Sequence, residues 1–170
     1  MLVNWLRTVA FTLLAPGGVC VLAPWLILRG NTTKLFEQPG ALQWLGILLA
    51  LIGICIYGWT VSDFVLIGEG TPAPVFPTRQ LVVTGLYRYV RNPMYLGVLS
   101  VLIGESCCFE SAWLLLYAGM VCTAFSLFVI YYEEPTLLRK YGSSYSKYCQ
   151  RVRRWIPRLI PYHPNQASEK

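Results

Sequence analysis

Four long apolar stretches separated by polar segments dominate the chain. They run from Thr8 to Leu28, from Ala41 to Ile67, from Pro93 to Phe109 and from Ser111 to Tyr132. A helix rises about 1.5 Å per residue and the hydrocarbon core of a bilayer is about 30 Å thick, so about 20 apolar residues suffice to cross it. The pattern therefore predicts an all-α, polytopic membrane bundle of about four transmembrane helices. The third stretch is the shortest, and we expect it to tilt little or to stop short of a full crossing.

Local features refine these helices. The segment Pro16–Gly18 lies in the middle of the first stretch and predicts a kink, whose freed carbonyls neighbouring helices or water must satisfy. Only about Glu110 separates the third and fourth stretches, which predicts an antiparallel hairpin. The spacing of Tyr141, Tyr145 and Tyr148 predicts that they share one face of a C-terminal amphipathic helix.

Composition agrees with a membrane protein of one domain. Hydrophobic residues make up 55% of the 170 residues and charged residues 13%, whereas a soluble domain carries roughly 25% charged residues. A single domain over residues 1–170 is the expectation. The six cysteines lack metal-ligand spacing, so we expect no metal site.

The basic residues predict how the chain is oriented. Of the 14 lysines and arginines, only Arg29 and Lys34 fall on one side of the predicted membrane, and the others fall on the opposite side. The positive-inside rule therefore places both termini and the loop 68–92 in the cytoplasm, in a bacterial inner membrane or an endomembrane. The net charge of +6 comes from basic residues that flank the apolar stretches. Membrane lipids are therefore the expected partners, and nucleic acid is not.

Two polar segments on that predicted cytoplasmic side are the candidates for function. Prolines at 72, 74 and 77 give the first an extended path, and Pro93 suits the first turn of a helix. Glu133 and Glu134 begin the second, where the fourth apolar stretch ends. Acids at a helix C-terminus oppose the macrodipole, so a bound cationic cofactor would stabilise them. The plainer interpretations are a loop with snorkelling arginines, solvated carboxylates, and a tyrosine stripe packed against headgroups.

These segments resemble a known group of membrane enzymes. The matching motifs, from Gln80 to Pro157, are LVVTGLY at 81–87, RNPMYLG at 91–97, the acidic pair at 133–134, YGSSYSKY at 141–148 and IP at 156–157. They are similar to those of the isoprenylcysteine carboxyl methyltransferase and phospholipid methyltransferase superfamily. The resemblance implies a multi-pass methyltransferase that uses S-adenosylmethionine and a lipophilic acceptor, with its cytoplasmic cofactor-binding part at about residues 68–158.

The resemblance also implies the site residues. Expected cofactor contacts are Gln80, Leu81, Val82, Tyr87, Asn92, Pro93, Met94, Tyr95, Glu133 and Glu134. Arg91 and Tyr87 are the expected catalytic residues, because the Arg91 fork suits a carboxylate of cofactor or acceptor and Tyr87 would line the pocket. The nucleophile is left open among a carboxylate, an amine, a thiol and a phenol.

Two departures argue against prenylcysteine as the acceptor. Prenylcysteine enzymes read Arg-His-Pro where this chain reads Arg91-Asn92-Pro93, so an imidazole contact to the cofactor becomes an amide contact or vanishes. They also carry an arginine, implied to hold the acceptor carboxylate, at the place of Val129.

A second hypothesis is a non-catalytic membrane subunit or a small transporter. Asp63 and Glu105 would then mark a conduction path, and are otherwise inward-facing, hydrogen-bonded helix residues. Gly97 and Gly104 would let helices approach within the bundle or across a homo-oligomer. Binding of S-adenosylmethionine discriminates between the two hypotheses.

Overall fold

The computed structural model describes residues 2–29, 40–66 and 81–163, where every regular element is helical. The first long helix is α1 (Leu2–Gly17), a π-helical turn (Gly18–Leu22) and α2 (Ala23–Leu28). There follow α3 (Ala41–Leu66), a 3₁₀ helix (Gly85–Arg88), α4 (Pro93–Cys108), α5 (Ala112–Phe128), a second π-helical turn (Val129–Glu133), α6 (Glu134–Tyr141) and α7 (Ser143–Arg151). This is the all-α architecture that the apolar pattern predicts.

Three helices in the described part of the chain are long and apolar enough to cross a membrane. They are Thr8–Leu28, Ala41–Leu66 and Ala112–Tyr141. Helix α4 has 16 residues and is about 24 Å long, which is less than the roughly 30 Å of the hydrocarbon core. The third stretch thus forms a shorter apolar helix than the other three, and the described residues contain three candidate spans and this one shorter apolar helix.

The predicted end of the fourth apolar stretch at Tyr132 is wrong. The helix continues from Ala112 to Tyr141 through the π-helical turn, whose flanking residues keep right-handed helical backbone angles. Pro135 is tolerated because it lies in the first turn of α6, directly after the irregular turn. Glu133 and Glu134 therefore sit within a long helix, and the argument from an opposing macrodipole at a helix end does not apply to them.

The irregularity predicted near Pro16–Gly18 takes the form of the first π-helical turn. The hydroxyl of Tyr117 on α5 donates to the carbonyl of Val19 in that turn (O···O 3.1 Å). A neighbouring helix thus supplies the hydrogen bond that an interrupted membrane helix needs.

Close approach of two backbones holds α3 against α4. A Cβ atom added to Gly53 would lie 2.5 Å from the carbonyl oxygen of Gly97, and one added to Gly46 would lie 2.6 Å from that of Gly104. Small residues permit this approach, which maximises packing where lipid removes the hydrophobic driving force. Gly97 and Gly104 thus pack within the bundle.

Helices α4 and α5 form the predicted hairpin and the apolar core. Ser111 caps α5 by accepting from the amide of Leu114 (N···O 3.4 Å). The core cluster consists of buried side chains from these two helices, namely Val98, Leu99, Leu102, Ala118 and Val121. The first long helix packs on this cluster through Val19 and Cys20.

The tyrosine stripe is split between two helices, so the prediction of one continuous helix is wrong. Gly142 has φ +56°, which interrupts the helical conformation between α6 and α7. Tyr145 and Tyr148 are buried on α7, and Tyr141 packs against them from α6. The apolar face of α7 covers Leu81 and Val83, so it packs on protein and not on lipid headgroups.

Candidate active site at the start of α4

The segment from Leu81 to Asn92 leads into α4 and carries most of the predicted site residues. It is extended up to Thr84, forms the 3₁₀ helix, and enters α4 at Pro93, whose missing N–H costs nothing at the first helical position. Leu81 and Met94 are half-buried and Val82 is buried. Gln80 lies outside the described residues.

Backbone hydrogen bonds hold the C-terminal segment after α7 against the segment that leads into α4. The amide of Arg91 donates to the carbonyl of Arg153, and the amide of Arg158 donates to that of Tyr89, each with N···O 2.9 Å. The buried side chain of Asn92 donates from Nδ2 to the carbonyl of Arg154 (3.1 Å). Two segments about 60 residues apart in sequence thus form one structural unit beside α4.

Glu133 and Tyr95 meet at the membrane-helix end of this unit. The hydroxyl of Tyr95 donates to Oε2 of Glu133 over 2.7 Å. The π-helical turn directs Glu133 towards α4, while the ring of Tyr95 packs on Phe125 (centroids 4.7 Å apart) and on Trp155 (6.4 Å). This hydrogen bond joins two of the predicted site residues, which are 38 positions apart in the sequence.

Glu134 holds two arginines. Arg154 binds it through two hydrogen bonds, Nε to Oε1 (2.8 Å) and Nη2 to Oε2 (2.9 Å), and Arg91 Nη1 lies 2.9 Å from Oε1. The Glu134 hydrogen bonds are the main cause that raises the pKa of Arg154. Arg91 also donates to Sγ of Cys149 (3.0 Å). Both carboxylate oxygens of Glu134 therefore accept from protein donors, whereas among the described residues Glu133 accepts at Oε2 only.

Tyr87 is buried beneath this arrangement. Its ring meets Phe64 of α3 edge-on (centroids 5.5 Å apart), and its carbonyl accepts from the hydroxyl of Tyr148 (2.6 Å). Burial, followed by the charge of Glu133, raises the pKa of Tyr87 well above its ordinary value. Tyr87 is thus a neutral phenol at physiological pH, able to donate a hydrogen bond but not to act as a phenolate base.

The structure brings the predicted residues together with others that the sequence did not indicate. Tyr87, Asn92, Pro93, Met94, Tyr95, Glu133 and Glu134 all lie around the start of α4. Arg154, Trp155, Tyr148 and Cys149 join them through long-range contacts. The only sequence signal for Arg154 was the basic run 151–154, which resembles a lipid-contacting patch equally well.

Comparison of the sequence with models of known families shows which family the chain belongs to. A model of the family described as phospholipid methyltransferase matches residues 41–144, from the start of α3 to the start of α7. This chain belongs to the phospholipid methyltransferase family. The matched region of this family member includes Tyr95, Glu133 and Glu134, and its long apolar helices make it an integral membrane protein.

Two relatives extend the comparison. The chain is 29% identical over 147 residues to Methanethiol S-methyltransferase 2 of Bradyrhizobium diazoefficiens, covering 78% of this chain and 53% of that protein. It is 36% identical over 90 residues to a Delta(14)-sterol reductase of Mus musculus, covering 52% of this chain and 21% of that protein. This family member thus spans about half the length of the first relative and about a fifth of the second. No solved structure matches it significantly.

Replacing Glu134 should destabilise the unit. A Glu134→Gln variant leaves the guanidinium groups of Arg91 and Arg154 without their anion, and we expect a loss of about 1–3 kcal/mol in unfolding free energy, since the pair is only partly buried. Thermal unfolding followed by circular dichroism in detergent measures this.

A double-mutant cycle isolates the contact. We expect Glu134→Gln and Arg154→Met to couple by about 1 kcal/mol or more. Strict additivity of the two variants would contradict the direct interaction.

Alkaline pH should weaken the folded state through its buried phenols. Burial raises the pKa of Tyr87, Tyr145 and Tyr148 above the ordinary 10.0. Above about pH 10 the unfolded chain loses these protons while the folded chain keeps them, so stability falls as pH rises. Thermal midpoints measured between pH 8 and 11 should decline, and the decline should be shallower in Tyr87→Phe. An equal slope in that variant would contradict the burial of this phenol.

Proposed function

We propose that this chain binds S-adenosylmethionine at the start of α4 and transfers its methyl group to a lipophilic or membrane-embedded acceptor. The observation that carries the proposal is the carboxylate of Glu133. Among the described residues Tyr95 alone donates a hydrogen bond to it, and only to Oε2. A half-buried carboxylate with one neutral donor suits a ligand that brings positive charge or further donors.

The methyl donor has that chemistry. It carries a sulfonium, an ammonium and two ribose hydroxyls, and when bound it supplies a methyl group attached to positively charged sulfur. That charge disappears during transfer, so a carboxylate placed against the sulfur would stabilise the ground state more than the transition state. We therefore assign Glu133 to the ribose hydroxyls or the ammonium.

The neighbouring residues are assigned by what they present. We propose that Leu81, Val82 and Met94 form an apolar wall and that Tyr87 donates a hydrogen bond. Gln80, which lies outside the described residues, is proposed to contact the cofactor. We propose that four further residues hold this wall in place, namely Arg91, Asn92, Pro93 and Glu134. Arg91 is also proposed to face the acceptor. Direct displacement needs orientation more than acid or base, so rigid placement is the main contribution of the protein.

A thiol is the first acceptor class to test. One relative is a methanethiol methyltransferase by name, and methanethiol is a thiol. The departures at Asn92 and Val129 argue against a prenylcysteine carboxylate. The proposed acceptor reaches the site sideways from the bilayer. The basic residues favour a cytoplasmic site and cytoplasmic termini. We further propose that residues 1–170 act as one domain, with the cofactor held by about residues 68–158.

The similarity to a sterol reductase raises a second candidate, hydride transfer from a reduced nicotinamide nucleotide. The electrostatics favour the methyl donor. A pyrophosphate carries two negative charges, whereas the charges of Arg91 and Arg154 are partly neutralised by Glu134 and Glu133 adds a further negative charge.

The test is methyl transfer by the purified full chain in detergent. S-[methyl-³H]adenosylmethionine is supplied with a membrane lipid extract and with a panel of alkyl and aryl thiols, and organic-soluble radioactivity is counted. We expect incorporation that S-adenosylhomocysteine inhibits and that Glu133→Gln reduces at donor concentrations below the dissociation constant of the variant. Saturable binding of reduced nicotinamide nucleotide without any methyl-donor binding would favour the reductase. Binding of neither would favour the non-catalytic subunit or transporter.

A further inference from the structure

Asp63 is a carboxylate that the assignments above do not use. It lies in the last turn of α3 and is half-buried. Its Oδ2 atom is shielded from solvent and has no hydrogen-bond partner within the described part of the chain. Buried polar atoms are nearly always hydrogen-bonded, and a carboxylate oxygen without a donor is costly. The position therefore calls for an explanation.

Gly85 makes room for this carboxylate. Gly85 has φ +49°, a conformation that suits glycine. A Cβ atom at this position would overlap Oδ2 of Asp63 and would lie 2.9 Å from Nε1 of Trp59. At Gly85 the 3₁₀ helix thus places backbone without a side chain against the carboxylate of Asp63 and the indole N–H of Trp59. The adjacent Thr84 contributes a hydroxyl that is likewise buried and without a partner among described residues.

The position is next to the proposed methyl-donor pocket. Phe64, the neighbour of Asp63, packs edge-on against Tyr87. Burial is the main cause of the raised pKa of Tyr87, the charge of Glu133 is the next, and the charge of Asp63 is the smallest contribution. Tyr87 is therefore near enough to both carboxylates to feel their charges.

We infer that Asp63 and Thr84 form a second polar subsite of this pocket, which binds an ammonium or hydroxyl group. A carboxylate only accepts hydrogen bonds, so the ligand must bring the donor, and an anionic group is excluded by repulsion. The inference rests on the proposed function. The group belongs either to the methyl donor, as its ammonium or a ribose hydroxyl, or to the acceptor.

The test measures three ligands against isosteric variants. The dissociation constants of S-adenosylmethionine, S-adenosylhomocysteine and 5′-methylthioadenosine, which lacks the amino-acid part, are determined by calorimetry for the full chain in detergent. The variants are Asp63→Asn and Thr84→Val, with Ser62→Ala as control, because the exposed hydroxyl of Ser62 donates to the carbonyl of Gly58 in its own helix. Loss of a charge-assisted hydrogen bond predicts about 10- to 100-fold weaker binding in Asp63→Asn. The neutral Thr84→Val change should cost less.

The pattern identifies the source of the donor group. Equal weakening of all three ligands assigns the subsite to a ribose hydroxyl, and weakening of the two amino-acid-containing ligands alone assigns it to the ammonium. Unchanged binding with at least tenfold slower methyl transfer into a lipid extract assigns it to the acceptor. Binding and transfer in both variants within twofold of Ser62→Ala would overturn the inference. Failure of the wild-type chain to bind S-adenosylmethionine would instead overturn the proposed function.

Discussion

Replacing Glu133 by Gln is expected to weaken S-adenosylmethionine binding about 10- to 100-fold, because the variant keeps the side-chain shape but loses the charge that strengthens hydrogen bonds to ligand donors. Tyr95→Phe removes the hydroxyl that lies 2.7 Å from Oε2 and orients the carboxylate. We expect it to weaken binding by a smaller factor of about 5 to 10. Calorimetric titration of each variant in detergent measures these changes.

Glu110→Gln is the matched control for the loss of charge. Glu110 is exposed in the hairpin between α4 and α5, at the opposite end of α4 from Tyr95, and accepts a hydrogen bond from the side-chain amide of Gln43. Its replacement should leave the dissociation constant within twofold of wild type. Wild-type affinity in both Glu133→Gln and Tyr95→Phe would exclude this pair from the site.

Adding one methyl group at Gly53 is expected to destabilise the bundle by about 1–3 kcal/mol, because the new Cβ would lie 2.5 Å from the carbonyl oxygen of Gly97 and force α3 away from α4. For a chain of this size that corresponds to a fall of about 3–10 °C in the thermal midpoint. Thermal unfolding followed by circular dichroism at 222 nm measures the effect.

The same substitution at Gly58 provides an internal comparison. Gly58 lies in the same helix, and an added Cβ there meets no atom within 4 Å. Because Ala favours helix over Gly by up to about 1 kcal/mol, Gly58→Ala should be neutral or stabilising. Equal midpoints for the two variants would show that α3 and α4 are not packed through their glycines.

Helix positions were predictable because membrane helices carry a strong local signal. The stretches Thr8–Leu28 and Pro93–Phe109 needed only a count of consecutive apolar residues. The end of the fourth helix was not predictable in the same way. Glu133, Glu134 and Pro135 ended the apolar run, and no local rule indicated that a π-helical turn would carry the helix onward to Tyr141.

The site was predictable only in part, because its residues act over long sequence separations. Resemblance to a known family indicated the motifs around Asn92, Tyr95 and Glu133. Such a resemblance does not show what the side chains contact. The contacts of Arg154 with Glu134 and of Tyr148 with the carbonyl of Tyr87 join residues 20 and 61 positions apart. Periodicity along one helix cannot report such pairs. The placement of Asp63 against Gly85 likewise appears only in three dimensions.

The most direct test of one pocket shared by the segment 81–95 and Glu133 is photolabelling with radioactive S-adenosylmethionine, followed by mass-spectrometric mapping of the labelled peptides. The account predicts label on residues between Leu81 and Tyr95 and around Glu133, all suppressed by excess S-adenosylhomocysteine. Protectable label confined to the other end of the bundle, around Cys107 to Trp113, would contradict it.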